Sequence, residues 1–386
     1  MKRVLVVDDS ALMRKLLTGV LTGAGYEVRS ARNGTEAVEM VVQWQPDAVT
    51  LDINMPEMDG LTALSLIMTA RPTPVVMVSS LTEQGALATF EALALGAVDF
   101  IPKPGGTISL RVDDIQAVLL EKVRSALRAR VATRGTRPTA SAGSSTSFGR
   151  ARSAPAGREA ALSGARAPAA EGSDADAERP QASPAGAKAA ARAPGRVPGL
   201  VLVGVSTGGP RTLEDILPRL PAGFPWPVLV AQHMPANFTD TFARRMDDLC
   251  ALTVREVSSP MPLLAGHVYI GKGGTDITVT DRVGTLHAAP RPETPGVLWH
   301  PSVEVLVDSA MKHLPPGKLV GVMLTGMGND GAAAMARLHA AGGRTIAESA
   351  ETAVVFGMPQ ELIERQGASM VLPCQDIAGQ LRMWLR

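Results

Sequence analysis

Apolar residues cluster in short, β-branched runs that alternate with longer amphipathic stretches in two separate parts of the chain. In the N-terminal part, residues 4–7, 48–51, 75–78 and 98–101 read as strands. Fully apolar strands spaced by helix-length segments predict a parallel sheet covered on both faces, a doubly wound α/β domain. The C-terminal part repeats the style at residues 200–205, 228–231, 268–270 and 319–324. Residues 276–288 read instead as a hairpin with Arg282, Val283 and Gly284 near its turn. A second α/β domain with a mostly parallel sheet and an antiparallel appendage is therefore expected.

From about residue 125 to 198 the pattern stops. Ala, Gly, Pro, Ser, Thr and Arg dominate, and Phe148 is the single aromatic. Such a segment cannot bury enough apolar area to offset its ordering entropy, so it reads as a long disordered linker. The expected organisation is a first domain at 1–124, a flexible tether at 125–198 and a second domain at 199–386. The full length of 386 residues suits more than one core.

Composition narrows the class. A formal net charge of +1 gives no reason to expect nucleic acid or a membrane surface as the main partner. Two cysteines, Cys250 and Cys374, are too few for a disulfide framework or a thiolate zinc site. The apolar run that begins at Val4 ends at Asp8 and Asp9, far short of a signal-peptide core. No stretch approaches the roughly 20 apolar residues of a membrane span, so a soluble, cytoplasmic protein is expected.

In a doubly wound domain, functional groups gather where strand ends meet at a topological switch point. Asp8 and Asp9 follow the first run and Asp52 follows the run at 48–51, so three carboxylates should converge. Close carboxylates repel unless a cation or proton neutralises them, and hard oxygen donors suit Mg²⁺. Ser79 and Lys103 end later strands and offer a hydroxyl and an ammonium to phosphoryl oxygens.

In the second domain, Gly204-Val205-Ser206-Thr207-Gly208-Gly209-Pro210 follows a strand and precedes a helix expected at 211–217. That turn can expose the Ser206 hydroxyl above helix N-terminal amides. The short pattern G-x-S-x-G fits a nucleophile, a phosphate-cradling loop or a plain turn. A base and an orienting acid occupy comparable strand-end positions: His233 in Gln232-His233-Met234-Pro235, and Asp330 after Thr325-Gly326-Met327-Gly328-Asn329. Ser, imidazole and carboxylate together supply the division of labour of a hydrolytic triad. On residues alone, His300 is the best rival base.

Two resemblances cover these segments. The Asp8-Asp9 pair, Leu51-Asp52-Ile53-Asn54-Met55-Pro56-Glu57-Met58-Asp59-Gly60, Ser79 and Lys103-Pro104 resemble a response-regulator receiver domain over residues 1 to about 124. That resemblance implies a flavodoxin-like fold with Asp52 as phospho-acceptor. It further implies Mg²⁺ held by Asp8, Asp9, Asp52 and the carbonyl of Asn54, phosphoryl contacts from Ser79 and Lys103, and Phe100 as an aromatic switch. The segments at 204–210 and 232–235, His300-Pro301-Ser302-Val303, 324–331 and Phe356-Gly357-Met358-Pro359 resemble the catalytic domain of the chemotaxis protein-glutamate methylesterases over about 199–384.

The second resemblance implies Ser206 as nucleophile, His233 as base and Asp330 as orienting acid, with the Met327 amide at the oxyanion site and Thr207 as support. It favours His233 over His300. It also implies methyl-accepting chemoreceptors as substrates, receptor glutamine deamidation, a chemotaxis histidine kinase as phosphodonor, no cofactor for the hydrolase, and a receiver that covers the hydrolase cleft until it is phosphorylated. Asn329 and Glu304 depart from the family pattern, where Arg and Asp are expected. Ala347-Glu348-Ser349-Ala350 departs from a stretch often carrying Gln and acidic residues, and the linker is unusually long. Three other classes are disfavoured. A DNA-binding output domain lacks an Arg/Lys-rich recognition helix, a dinucleotide site lacks G-x-G-x-x-G, and an idle receptor-binding adaptor has no need of Ser206, His233 and Asp330.

Overall fold

The computed structural model describes residues 1–80, 82–103, 112–129 and 197–385. Pro104 and nearly all of the expected linker lie outside the described residues, which fall in one packing unit.

The N-terminal part alternates strand and helix throughout. Its elements are β1 (Arg3–Val7), α1 (Ala11–Gly23), β2 (Glu27–Ala31), α2 (Gly34–Trp44), β3 (Ala48–Asp52), α3 (Gly60–Ala70), β4 (Val75–Ser79), α4 (Glu83–Leu95), β5 (Asp99–Pro102) and α5 (Val112–Ala126). Side-chain caps start several helices: Ser10, Asn33, Asp59 and Thr82 each accept an amide of the first turn. The five strands are parallel in the order β2-β1-β3-β4-β5, so the strand order reverses between β1 and β3. The four strands predicted from apolar runs are present. The fifth, β2, carries no apolar run because it is an edge strand with mostly exposed side chains.

The C-terminal part carries β6 (Leu200–Val205), α6 (Gly209–Ile216), β7 (Val228–Gln232), α7 (Ala236–Leu249), β8 (Thr253–Val257), β9 (Met261–Pro262), β10 (His267–Gly271), β11 (Asp276–Arg282) and β12 (Thr285–Arg291). It continues with α8 (Val303–Met311), β13 (Leu319–Met323), α9 (Ala332–Ala340), β14 (Arg344–Glu348), α10 (Gly357–Glu364), β15 (Met370–Leu372) and α11 (Cys374–Trp384). Seven parallel strands run in the order β15-β14-β13-β6-β7-β10-β8. Chain order departs from β6 toward β7 on one side and returns to β13 on the other, which makes the β13/β6 border the switch point. The expected hairpin is β11–β12, joined at Val283 and Gly284, both with positive φ, and β9 extends it to a three-stranded antiparallel sheet.

One apolar cluster runs between the two large sheets. Phe90 of α4 and Phe100 of β5 meet Phe238 and Phe242 of α7, with Phe100 and Phe238 ring centroids 4.5 Å apart. Val354 packs against the cluster that contains Leu119 and Val123 of α5. The two α/β blocks are thus in direct contact through buried aromatic rings.

Candidate active site

The first switch point gathers the predicted acidic residues. Asp8 follows β1 and Asp52 closes β3, and oxygens of Asp8, Asp9 and Asp52 lie within 4.8 Å of one another. Asp8 and Asp52 are buried, whereas Asp9 is exposed. Lys103 Nζ sits 2.7 Å from Asp52 Oδ2 and 3.1 Å from Asp8 Oδ2. Burial pushes the Asp52 carboxyl above the usual carboxylate range despite Lys103, with Asp8 adding to the rise. Burial alone would lower Lys103; the facing carboxylates outweigh it and hold the ammonium charged. Ser79 Oγ donates to the Gly85 carbonyl at 3.1 Å in this arrangement. Gly60 is demanded by the close turn after Asp52, because a Cβ there would lie 2.0 Å from the Asp52 carbonyl oxygen.

The donor set fits a hard divalent cation. Two buried carboxylates and one exposed one offer oxygens close to one another, and Lys103 is the cation that pairs with Asp8 and Asp52 there in this arrangement. Phe100 is buried and turned toward Phe238.

The second switch point gathers Ser206, His233 and Asp330, the residues expected to form a triad. Ser206 follows β6, His233 follows β7, and their strands pair with Val205 opposite Gln232. The His233 amide donates to the Val205 carbonyl at 3.0 Å, and the Ser206 amide donates to the Thr325 carbonyl at 2.9 Å. The loop after β13 therefore backs directly onto the serine. Gly326 makes that approach feasible, since a Cβ would fall 2.8 Å from Ser206 Cβ and 2.4 Å from Met358 Sδ.

His233 Nε2 bonds Asp330 Oδ2 at 2.9 Å, which leaves Nδ1 for another partner. Both Nδ1 and Ser206 Oγ are buried and find no hydrogen-bond partner among the described residues. Asp330 is held at the N-terminus of α8. Its oxygens accept the Ser302 hydroxyl at 2.9 Å and the Val303 and Glu304 amides at 2.7 and 3.1 Å. Burial would push its carboxyl up, but His233 and these amides reverse the effect and hold it below the usual carboxylate range. Trp299 stacks on the His233 ring with centroids 5.2 Å apart.

His300 is elsewhere engaged. Its Nδ1 bonds Asp276 Oδ1 at 2.8 Å, and Asp276 also binds Thr294 and the Ser302 amide. Met327 lines an open cavity of about 560 Å³ with Gly328, Asn329, Phe356 and Arg128. Thr207 is buried with its hydroxyl unpartnered among the described residues, while its carbonyl accepts the Thr325 hydroxyl at 2.8 Å. Glu304 joins α8 to α9 by accepting the Ala334 amide and pairing with Arg337.

Two residues near the serine escape a reading of the sequence. Gln232 donates from Nε2 to the carbonyls of both Ser206 and His233, at 3.0 and 3.1 Å. Glu348 accepts the Thr325 amide at 2.9 Å. The only signal for Gln232 is its adjacency to His233; Glu348 offers none beyond its place in a departing stretch.

Comparison with known proteins matches the same two halves. The response regulator receiver domain family covers residues 4–113 and the CheB methylesterase family covers 201–381. Protein-glutamate methylesterase/protein-glutamine glutaminase 3 of Rhodospirillum rubrum is 51% identical over 100% of this chain and 96% of its own length. Enzyme 2 of that name from Rhodopseudomonas palustris is 50% identical over 100% and 98%, and enzyme 3 from Vibrio cholerae 42% over 94% and 91%.

Proposed function

Because the chain belongs to the protein-glutamate methylesterase family, with a receiver ahead of a CheB methylesterase domain, we propose that it is a phosphorylation-regulated hydrolase of chemoreceptor glutamate methyl esters. It also deamidates receptor glutamines, and both reactions serve sensory adaptation. The switch unit is residues 1–124 and the hydrolase 199–386, with the tether between them. The observation that carries the reading is the His233–Asp330 pair: His233 follows β7 and Asp330 lies in the loop after β13, the two strands that flank β6 and Ser206, whose hydroxyl is left unpartnered among the described residues.

Ser206 Oγ attacks the ester carbonyl carbon as its proton passes to His233 Nδ1. Asp330 holds the ring through Nε2 and stabilises the imidazolium. The tetrahedral intermediate collapses, the bond to the methoxy oxygen breaks, and His233 returns the proton so that methanol leaves. Water then attacks the acyl-enzyme, again giving a proton to His233, and releases the glutamate carboxyl and Ser206. The Met327 amide faces the oxyanion, an interaction worth about 3 kcal/mol per donor. With glutamine the same steps release ammonia.

In the receiver, Asp52 accepts the phosphoryl group from a histidine kinase, and Ser79 and Lys103 contact its oxygens. Asp8, Asp9, Asp52 and the Asn54 carbonyl would hold Mg²⁺, which supplies neutralising charge for phosphoryl transfer. The aromatic contact of Phe90 and Phe100 with α7 supports a closed, inhibited form that phosphorylation releases. No helix among the described residues is long and apolar enough to cross a membrane. A fluorophosphonate probe tests the chemistry: labelling at Ser206 that disappears in His233→Ala is expected, and equal labelling of both proteins would overturn the assignment.

A further inference from the structure

Glu348 is a fully buried carboxyl at the end of β14, in the strand next to β13 and two strands from the serine. Burying an acid is costly unless its oxygens are satisfied. Both are. Oε2 accepts the Thr325 amide at 2.9 Å and Oε1 accepts the Thr352 hydroxyl at 2.9 Å. Thr352 is itself tied down, because its hydroxyl accepts the Cys374 amide at the start of α11.

Thr325 is the hub on the other side. Its carbonyl accepts the Ser206 amide, its hydroxyl donates to the Thr207 carbonyl, and the same hydroxyl accepts the Val355 amide at 2.9 Å. The next residue, Gly326, sits against Ser206 Cβ and bonds the Val355 carbonyl. A continuous hydrogen-bonded path therefore runs from α11 through Thr352, Glu348 and Thr325 to the turn that carries Ser206. Every link on it is backed by buried residues apart from the partly buried Thr352.

We propose that Glu348 is a positioning residue for the Ser206 turn, acting through Thr325. The inference rests on reading Ser206 as the nucleophile. What the turn requires from Glu348 is a fixed acceptor for the Thr325 amide, and either protonation state can provide it. An ionised carboxylate accepts from both partners; a protonated one accepts from Thr325 and donates to Thr352, which has a second lone pair. Burial raises the Glu348 carboxyl to about 7, with Asp215 of α6 pushing the same way. The other titratable group facing it is Cys374 of α11, whose thiol burial and Glu348 push up while Arg219 and Arg211 oppose. Glutamine has the hydrogen-bonding pattern of the protonated acid, so Glu348→Gln should keep the turn in place and Glu348→Ala should release it.

The test uses the full-length protein and measures methanol release from methylated receptor together with the rate of fluorophosphonate labelling. Glu348→Ala is expected to lower kcat at least tenfold with KM within twofold, and to slow labelling in parallel. Glu348→Gln is expected to stay within about threefold of the parent in both. A folded Glu348→Ala with parental kcat overturns the inference, as does a Glu348→Gln variant as impaired as Glu348→Ala. Should Glu348→Ala fail to fold, Thr352→Val carries the test: it frees Oε1, and a kcat about threefold lower is expected where an unchanged kcat contradicts the path. Methanol release that survives Ser206→Ala would instead sink the reading on which the inference stands, whatever Glu348 does.

Discussion

Replacing Phe90 with alanine removes a receiver ring from the contact with α7 without altering any residue of the hydrolase. Phe90 lies edge-to-face against Phe238, with centroids 6.5 Å apart at 82°, and 5.5 Å from Phe242. All three rings are buried. Aromatic pairs contribute about 0.5–1.5 kcal/mol each beyond burial, so removing both pairings across the interface costs the closed form roughly 1–3 kcal/mol. The remainder of the about 3–5 kcal/mol typical of Phe→Ala falls on the receiver's own packing. A change of about 1–3 kcal/mol shifts the ratio of closed to open forms by roughly 5- to 150-fold. A long tether would replace little of this, because effective concentration falls with linker length. Methanol release without phosphodonor should therefore rise several-fold in Phe90→Ala, and acetyl phosphate should add less than it does to the parent. A folded Phe90→Ala protein with unchanged basal release and an unchanged response would refute the role given to this surface.

Asp330→Asn keeps the size of the side chain but removes the charge that holds the His233 ring. By the behaviour of hydrolytic triads kcat should fall on the order of 10³- to 10⁴-fold with KM little changed, as steady-state methanol assays would read. Glu348 also makes stability depend on pH. Its folded-state value of about 7 lies above the ordinary 4.5, so its contribution is fully present below about 4.5 and is lost as pH rises through about 7. At 1.36 kcal/mol per unit that difference is about 3 kcal/mol. Denaturant unfolding should accordingly show Glu348→Gln gaining on the parent above pH 7 and losing that advantage near pH 4.5; a constant difference from pH 5 to 9 would contradict it.

How far the sequence can be read depends on whether a residue's role is local. Asp52, Ser206, His233 and Asp330 each follow an apolar run, and strand-end position alone brings such residues toward a switch point. Gly60 and Gly326 are visible only as motif letters; the close backbone approaches that demand them are tertiary. Strand β14 reads as ordinary because Arg344 and Glu348 bracket only three residues, and nothing local separates buried Glu348 from exposed Glu351. The amides of Val303 and Glu304 that hold Asp330 belong to a helix some thirty residues earlier, and no pattern within either segment announces the pairing. Phe100 is legible as an aromatic in an apolar strand, while its partner Phe238 sits in an amphipathic helix that carries no motif.

The most direct measurement is methanol release from methylated receptors of the same organism, for the parent and for Ser206→Ala, each with and without acetyl phosphate. The parent should release methanol, faster with phosphodonor, and Ser206→Ala should release none under either condition. Release by Ser206→Ala at the parental rate would contradict the assignment of the nucleophile, and parental release indifferent to phosphodonor would contradict the coupling of Asp52 to the hydrolase.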